Sequence, residues 1–257
     1  MVTVFLNGGL GNQLFQVAAT YAHAMEHNDV CAFDFSVIPK NQGNSPMSYI
    51  NTLYRGLREL PKGWTPKNIY KEPRHDYDTI PYRKDTILKG YFGRERYFIR
   101  YRDEIIRLFR NEDIIEELKD TFKFVLNNSV SMHVRRGDYL RFSNVYNILT
   151  HEYYYNALKL IEKTQIVDNI LVFSDDIEWC KSNMPDCRIT FIEGQSDDYD
   201  LLLMGLCNRG NIIANSTFSQ WGATLGEEPL KPIIAPKKWF LNEHLNANVV
   251  PSRWIRI

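Results

Sequence analysis

Five short apolar runs, at residues 131–134, 170–173, 188–192, 212–214 and 233–235, alternate with helically periodic stretches that begin near residues 152, 176, 198 and 217. Such alternation leaves few topologies open, because each crossover must be right-handed and the strands must lie parallel in a sheet covered by helices. It predicts an α/β domain over residues 128–257. In a sheet of this kind ligands bind outside the carboxyl ends of the strands, so the loops after these runs are where chemistry is expected.

The first of these loops is His133-Val134-Arg135-Arg136-Gly137-Asp138-Tyr139. Two adjacent guanidiniums suit a diphosphate, since each offers a planar fork of donors and neither loses its charge near neutral pH. A solvated arginine pair beside a turn is the plainer reading. Arg136 has a plainer role of its own, bracing the loop against a carboxylate such as Asp138. His133, at the strand end beside the pair, is a candidate for ribose or phosphate, against the alternative of a satisfied core histidine. Asp175 and Asp176 follow the second run. A carboxylate there can accept paired hydrogen bonds from guanine, while the structural rival is helix capping by Asp175 and compensation of the macrodipole by Asp176. Asn215-Ser216-Thr217-Phe218-Ser219 leaves the fourth run and opens a helix, a natural anion-binding terminus. Ser216, Thr217 and Ser219 are assigned to a diphosphate or its sugar, and Phe218 to packing near the nucleotide.

The N-terminal half, residues 1–127, begins with the strand-like Val2-Thr3-Val4-Phe5-Leu6 and runs into Asn7-Gly8-Gly9-Leu10-Gly11-Asn12-Gln13. Leu14, Val17, Ala18, Tyr21 and Met25 then recur at helical spacing, giving strand, glycine turn, helix. Gly9 and Gly11 let backbone amides approach a ligand, and Asn12 opens the helix beside them. Residues 30–34 read as a second strand closed by Asp34. That acid imitates the ribose-binding residue of the dinucleotide fingerprint, but Leu14 stands where the fingerprint wants a third glycine. Residues 47–85 carry Pro61, Pro66, Pro73 and Pro81 and are expected to be irregular. A returning strand is predicted at 86–91, then a helix over 104–119 that is capped and restarted near Asn111.

Lys and Arg total 31 and balance 31 Asp and Glu, so no global field draws the chain to nucleic acid. The four cysteines form no CxxC pair and are expected as free, mostly buried thiols. Residues 1–30 lack the basic and apolar regions of a signal peptide, and no segment approaches about 20 apolar residues. A cytoplasmic protein follows as the expectation, free or peripheral on the inner face of the cytoplasmic membrane.

Four segments, in this order, resemble the α-1,2-fucosyltransferases of glycosyltransferase family 11, in their bacterial form. They are Gly8-Gly9-Leu10-Gly11-Asn12-Gln13-Leu14-Phe15-Gln16, the stretch from His133 to Tyr139, Phe173-Ser174-Asp175-Asp176, and residues 211–223. The one departure is Gln220, where many bacterial relatives carry Trp. The resemblance implies a GT-B-like α/β fold, two Rossmann-like halves facing a cleft, with residues 1–127 on the acceptor side and 128–257 binding GDP-fucose. It implies inverting transfer of L-fucose to the 2-hydroxyl of a terminal galactose, on an acceptor that is free or lipid-linked, without metal or cofactor. Gly9, Gly11, Asn12, His133, Arg135, Arg136, Asp175, Asp176, Ser216, Thr217, Phe218 and Ser219 then hold the donor, Asn12 reaching the fucosyl phosphate. Arg135 neutralises the leaving diphosphate, and Asp138 either steadies it or deprotonates the acceptor. Aromatic faces stack on sugars, so Trp64, Tyr70, His75 and Tyr77 are candidates for the acceptor site.

Competing readings come from single motifs. Asp198-Tyr199-Asp200 could hold a divalent metal, although acidic residues before Leu201-Leu202-Leu203 also suit a helix N-terminus. A different GDP-sugar donor or a dinucleotide-dependent oxidoreductase would use the glycine loop. Arg136-Gly137-Asp138 has the letters of an adhesion tripeptide.

Overall fold

The computed structural model describes residues 1–38, 43–73 and 77–257. It divides into two compact units, Met1–Asn111 and Glu112–Ile257. The division falls ahead of the expected one near residue 127, because the helix that restarts at Glu112 packs in the second unit. It does so through Tyr199, whose hydroxyl donates to Glu117 Oε2 at 3.0 Å.

The first unit holds three parallel strands, β1 (Val2–Val4), β2 (Asn68–Lys71) and β3 (Thr86–Lys89), in the order β1-β3-β2. Helix α1 (Leu10–Glu26) follows β1 and buries Leu14, Val17 and Ala18 at helical spacing. The second strand expected at 30–34 is reduced to isolated bridges, Val2 to Cys31 and Phe33 to Glu59. Asp34 shows why the ladder stops. Its carboxylate accepts from the Ser36 amide at 3.0 Å and the Ser36 hydroxyl at 2.6 Å, closing a local turn. Strand β2 occupies part of the region expected to be irregular. Helix α2 (Arg102–Phe109) closes the unit.

The second unit opens with α3 (Glu112–Thr121) and α4 (Lys123–Leu126), so the predicted interruption near Asn111 is present. Its strands are β4 (Ser129–Val134), β5 (Asn169–Ser174), β6 (Ile189–Phe191), β7 (Gly210–Ile212), β8 (Ile233–Ala235) and β9 (Ile255–Arg256). All pair parallel in the order β6-β5-β4-β7-β8-β9. Every residue of β4 is buried, as a central strand covered on both faces requires. Helices α5 (His151–Glu162), α6 (Ile177–Asn183), α7 (Asp197–Leu206) and α8 (Thr217–Leu225) supply the crossovers. The core joins Val130, Met132 and Val134 of β4 to Tyr154, Ala157, Leu158 and Ile161 of α5. Each large apolar side chain there contributes about 1.5–3 kcal/mol when fully buried.

From β4 the chain adds β5 and β6 on one side, then crosses to β7 and β8 on the other. The strand order therefore reverses between β4 and β7. That switch point is where an open α/β sheet presents a crevice at its carboxyl edge.

Of the four cysteines, Cys180 and Cys207 are buried, Cys31 is half-buried and Cys187 is exposed, all as free thiols. No helix among the described residues is long and apolar enough to cross a membrane.

Candidate functional site

Strand β4 ends at Val134, and the next residues reach over the sheet edge. Arg135 lies between two carboxylates. Its Nη2 pairs with Asp138 Oδ1 and its Nη1 with Asp175 Oδ2 at 3.0 Å. Arg136 pairs instead with Asp176, Nε to Oδ2 at 3.1 Å, and its guanidinium lies 4.0 Å from the centre of the Trp179 ring. The plainer role for Arg136 is thus realised with a different acid, Asp138 serving Arg135. The Arg136 backbone amide also donates to Asp175 Oδ1 at 2.8 Å. The arginine loop is held to the end of β5 by both aspartates.

The capping role expected of Asp175 belongs to Asp176, whose Oδ1 accepts from the Trp179 amide at 3.2 Å at the start of α6. With Arg136 and Asp138 both engaged in this network, the adhesion reading of Arg136-Gly137-Asp138 has no free tripeptide to offer.

The buried atoms at this edge without hydrogen-bond partners among the described residues include Arg135 Nε and His133 Nδ1. An orphaned guanidinium donor is costly unless an acceptor arrives, and it points to an oxygen-rich ligand. His133 packs its ring 5.5 Å from that of Phe218. Burial, with Arg135 adding to it, pushes its pKa down to about 3. The imidazole is therefore neutral at ordinary pH, and the fixed charge at this edge belongs to the arginines.

Across the switch point, Ser216 caps α8 by accepting from the Phe218 amide at 3.3 Å. Ser219 is buried and donates to the Ser216 carbonyl at 3.3 Å, so its hydroxyl is committed within the helix. Thr217 and Phe218 are half-buried on the first turn of α8. Asn215 is buried and donates from Nδ2 to the carbonyls of Asn147 and Trp239, each at 2.8 Å. Gln220 donates to the Val249 carbonyl at 3.0 Å, which gives that residue a bracing role.

The glycine turn of the first unit is tighter than its sequence announces. Within it only Gly8 takes a left-handed conformation, φ +81°. Gly9 is the N-cap of α1, and Gly11 already lies inside the helix rather than in the loop. The Asn12 side chain folds back over Gly8, where an added Cβ would lie 2.7 Å from its Nδ2. Two buried glutamines that motif reasoning left without work hold this turn. Gln13 donates to the Gly8 carbonyl at 2.9 Å and the Asn44 carbonyl at 3.0 Å. Gln16 accepts from the Asn7 amide at 2.9 Å and donates to the Gly90 carbonyl at 3.1 Å. Their spacing of three along a helix was the available signal.

Of the aromatic candidates, Tyr70 stacks with Phe92 at 6.5 Å, and Tyr77 packs on Tyr97 at 4.9 Å with Arg96 over its ring. Trp64 is half-buried, and His75 lies outside the described residues. The acidic triplet opens α7 as helix-terminus chemistry expects. Asp198 is buried and accepts from the Ser196 hydroxyl, while burial, with Asp197 and Asp198 adding to it, pushes the Asp200 carboxyl up to about 7. No group of three or more metal-ligating side chains occurs among the described residues.

Gly137 is the sterically critical position of the arginine loop. A Cβ there would lie 2.4 Å from Asp175 Oδ2, displacing the carboxylate that holds Arg135. Gly137→Ala should weaken binding of a nucleoside diphosphate by roughly tenfold, or about 1.4 kcal/mol, in calorimetric titration. Unchanged affinity would mean that the Asp175 contact does not set the arginine.

Residues 63–256 match the family model described as glycosyl transferase family 11. The α-1,2-colitosyltransferase of Escherichia coli is 32% identical to the chain over 291 residues, covering 100% of this chain and 99% of the relative. Galactoside α-(1,2)-fucosyltransferase 2 of Oryctolagus cuniculus is 26% identical, covering 99% and 79%. In fold, the chain is similar to POFUT1 solved in complex with GDP, at a TM-score of 0.55 and 12% identity over 91% of this chain and 97% of that one. A match over most of its length, carrying both arginines and the turn after β7, places the chain in glycosyl transferase family 11.

Proposed function

We propose that the chain is an inverting galactoside α-1,2-fucosyltransferase, which moves L-fucose from GDP-fucose to the 2-hydroxyl of a terminal galactose. The observation that carries this reading is Arg135, a fixed cation at the sheet's switch point with a buried Nε that lacks a protein partner among the described residues. As the sugar–phosphate bond breaks, the sugar approaches an oxocarbenium ion and negative charge gathers on the departing GDP. Arg135 stabilises that growing charge, and stabilisation of this kind usually contributes more to catalysis than any other effect. Helix α8 adds the partial positive charge of its first turn through the amides after Ser216.

Asp138 and Asp175 hold the Arg135 guanidinium in place. Asp175 keeps further lone pairs and can accept from guanine while bracing the loop. His133, Thr217 and Phe218 line the nucleotide. The acceptor is a β-galactoside-terminated glycan, free or lipid-linked, and the enzyme works in the cytoplasm or on the inner face of the cytoplasmic membrane.

A second donor merits the same assay, because the relative that is 32% identical is a colitosyltransferase. Colitose lacks the 3-hydroxyl of fucose, so the two donors differ by one hydrogen-bonding group. Rates with GDP-fucose and GDP-colitose, each against the same galactoside, decide between them. Because Arg135 provides the neutralising charge, excess EDTA should leave most transfer intact. Complete loss with chelator, restored by Mn²⁺, would show that a metal does this work.

A further inference from the structure

The loop that carries Arg135 is anchored at its far end by one side chain. Tyr139 donates its hydroxyl to the Asn215 carbonyl at 3.0 Å, joining the loop after β4 to the turn after β7 across the switch point. Its ring stacks on Tyr146 with centroids 3.9 Å apart and planes 8° from parallel, and Tyr146 in turn packs on Phe240 at 5.5 Å. The Arg135 guanidinium lies 5.3 Å from the Tyr139 ring centre. Asn215 is a fixed partner, because its own side chain is tied to Asn147 and Trp239.

We infer that Tyr139 is a positioning residue that fixes Arg135 relative to the helix terminus at Ser216, so that cation and amides address one diphosphate together. The inference rests on the proposed role of Arg135. Two of the elements that meet a diphosphate come from different strands, and the sheet alone fixes only their strand ends. Beyond those ends the Tyr139 hydroxyl spans the gap directly. Burial raises the pKa of this phenol, with Tyr146 adding to the effect, so it stays protonated as a donor. Tyr139 touches no reacting atom in this scheme and acts through Arg135.

Tyr139→Phe keeps the ring stack and removes only the hydroxyl, which makes it the informative substitution. It should lower kcat with GDP-fucose roughly tenfold while leaving the acceptor KM and the melting temperature near wild type, since small misplacements of a catalytic group are expensive. In the Arg135→Ala background, adding Tyr139→Phe should cost little more, because there is no longer a guanidinium to place. Multiplied losses in the double variant, or an unchanged kcat for Tyr139→Phe beside a slow Arg135→Ala, would overturn the positioning role alone. A near-wild-type rate for Arg135→Ala itself would overturn the diphosphate reading and this inference with it.

Discussion

Arg135→Ala should cut turnover about a hundredfold or more, corresponding to about 3 kcal/mol of lost transition-state stabilisation. The fold should survive. Arg135 projects from the end of β4 and is about a quarter exposed, and the Asp138 and Asp175 side chains it leaves behind are similarly open to water. Partly solvated ion pairs of this kind contribute little to stability, so the melting temperature should move only slightly. Arg135→Lys should restore little, because a single ammonium cannot span Asp138, Asp175 and a phosphate oxygen as the fork does. Steady-state kinetics beside a thermal melt check this expectation, and a folded Arg135→Ala protein with near-normal kcat would contradict it.

The largest loss of stability is expected far from that loop, where α7 and α8 touch backbone to backbone. A Cβ on Gly226 would lie 1.9 Å from the Gly205 carbonyl oxygen and 2.5 Å from its carbonyl carbon. Neither atom belongs to a side chain that can rotate away, so the helices must part by roughly 1 Å, at a cost on the order of 3 kcal/mol. The same contact brings both helix ends within reach of one buried ammonium. Lys231 donates from Nζ to the Gly205 carbonyl at 2.9 Å and the Gly226 carbonyl at 2.8 Å, satisfying carbonyls that helix ends leave open. Moving the helices apart loosens that bridge as well. Gly226→Ala should therefore lower the urea midpoint substantially. Gly222→Ala is the milder control, since its Cβ would meet nothing nearer than Met204 Cβ and Sδ at 2.9 Å. Equal midpoints for Gly226→Ala and wild type would refute the close contact.

Strands β4, β5 and β8 were legible from their buried apolar runs, and the helices between them carry the other period; β6 is only half-buried, and the run expected at 212–214 overlaps β7 at Ile212 alone. Strand β9 was not, for its two residues, Ile255 and Arg256, are both exposed and follow no pattern. Strand β2 was hidden by the prolines around it. The second strand expected at 30–34 failed for a local reason, the turn that Asp34 makes with Ser36. At the site, residue type and order along the chain located the arginine pair and the turn after β7. The pairing of acids with arginines was out of reach. Asp175 and Asp176 lie some forty residues from Arg135 and Arg136, and only the β4–β5 register brings them together. The role of Tyr139 was hidden likewise, since its partner is a backbone carbonyl that no side-chain pattern marks.

The most direct test of the central proposal is the structure of the product. Purified protein incubated with GDP-β-L-fucose and a β-galactoside, in the presence of EDTA, should release GDP and yield one fucosylated glycan. NMR should place the new bond on the galactose 2-hydroxyl with α configuration, the inversion that direct displacement of the β-linked diphosphate requires. A β linkage would contradict the inverting mechanism. Attachment at another hydroxyl, or GDP release with no glycan product, would contradict the transfer reaction itself.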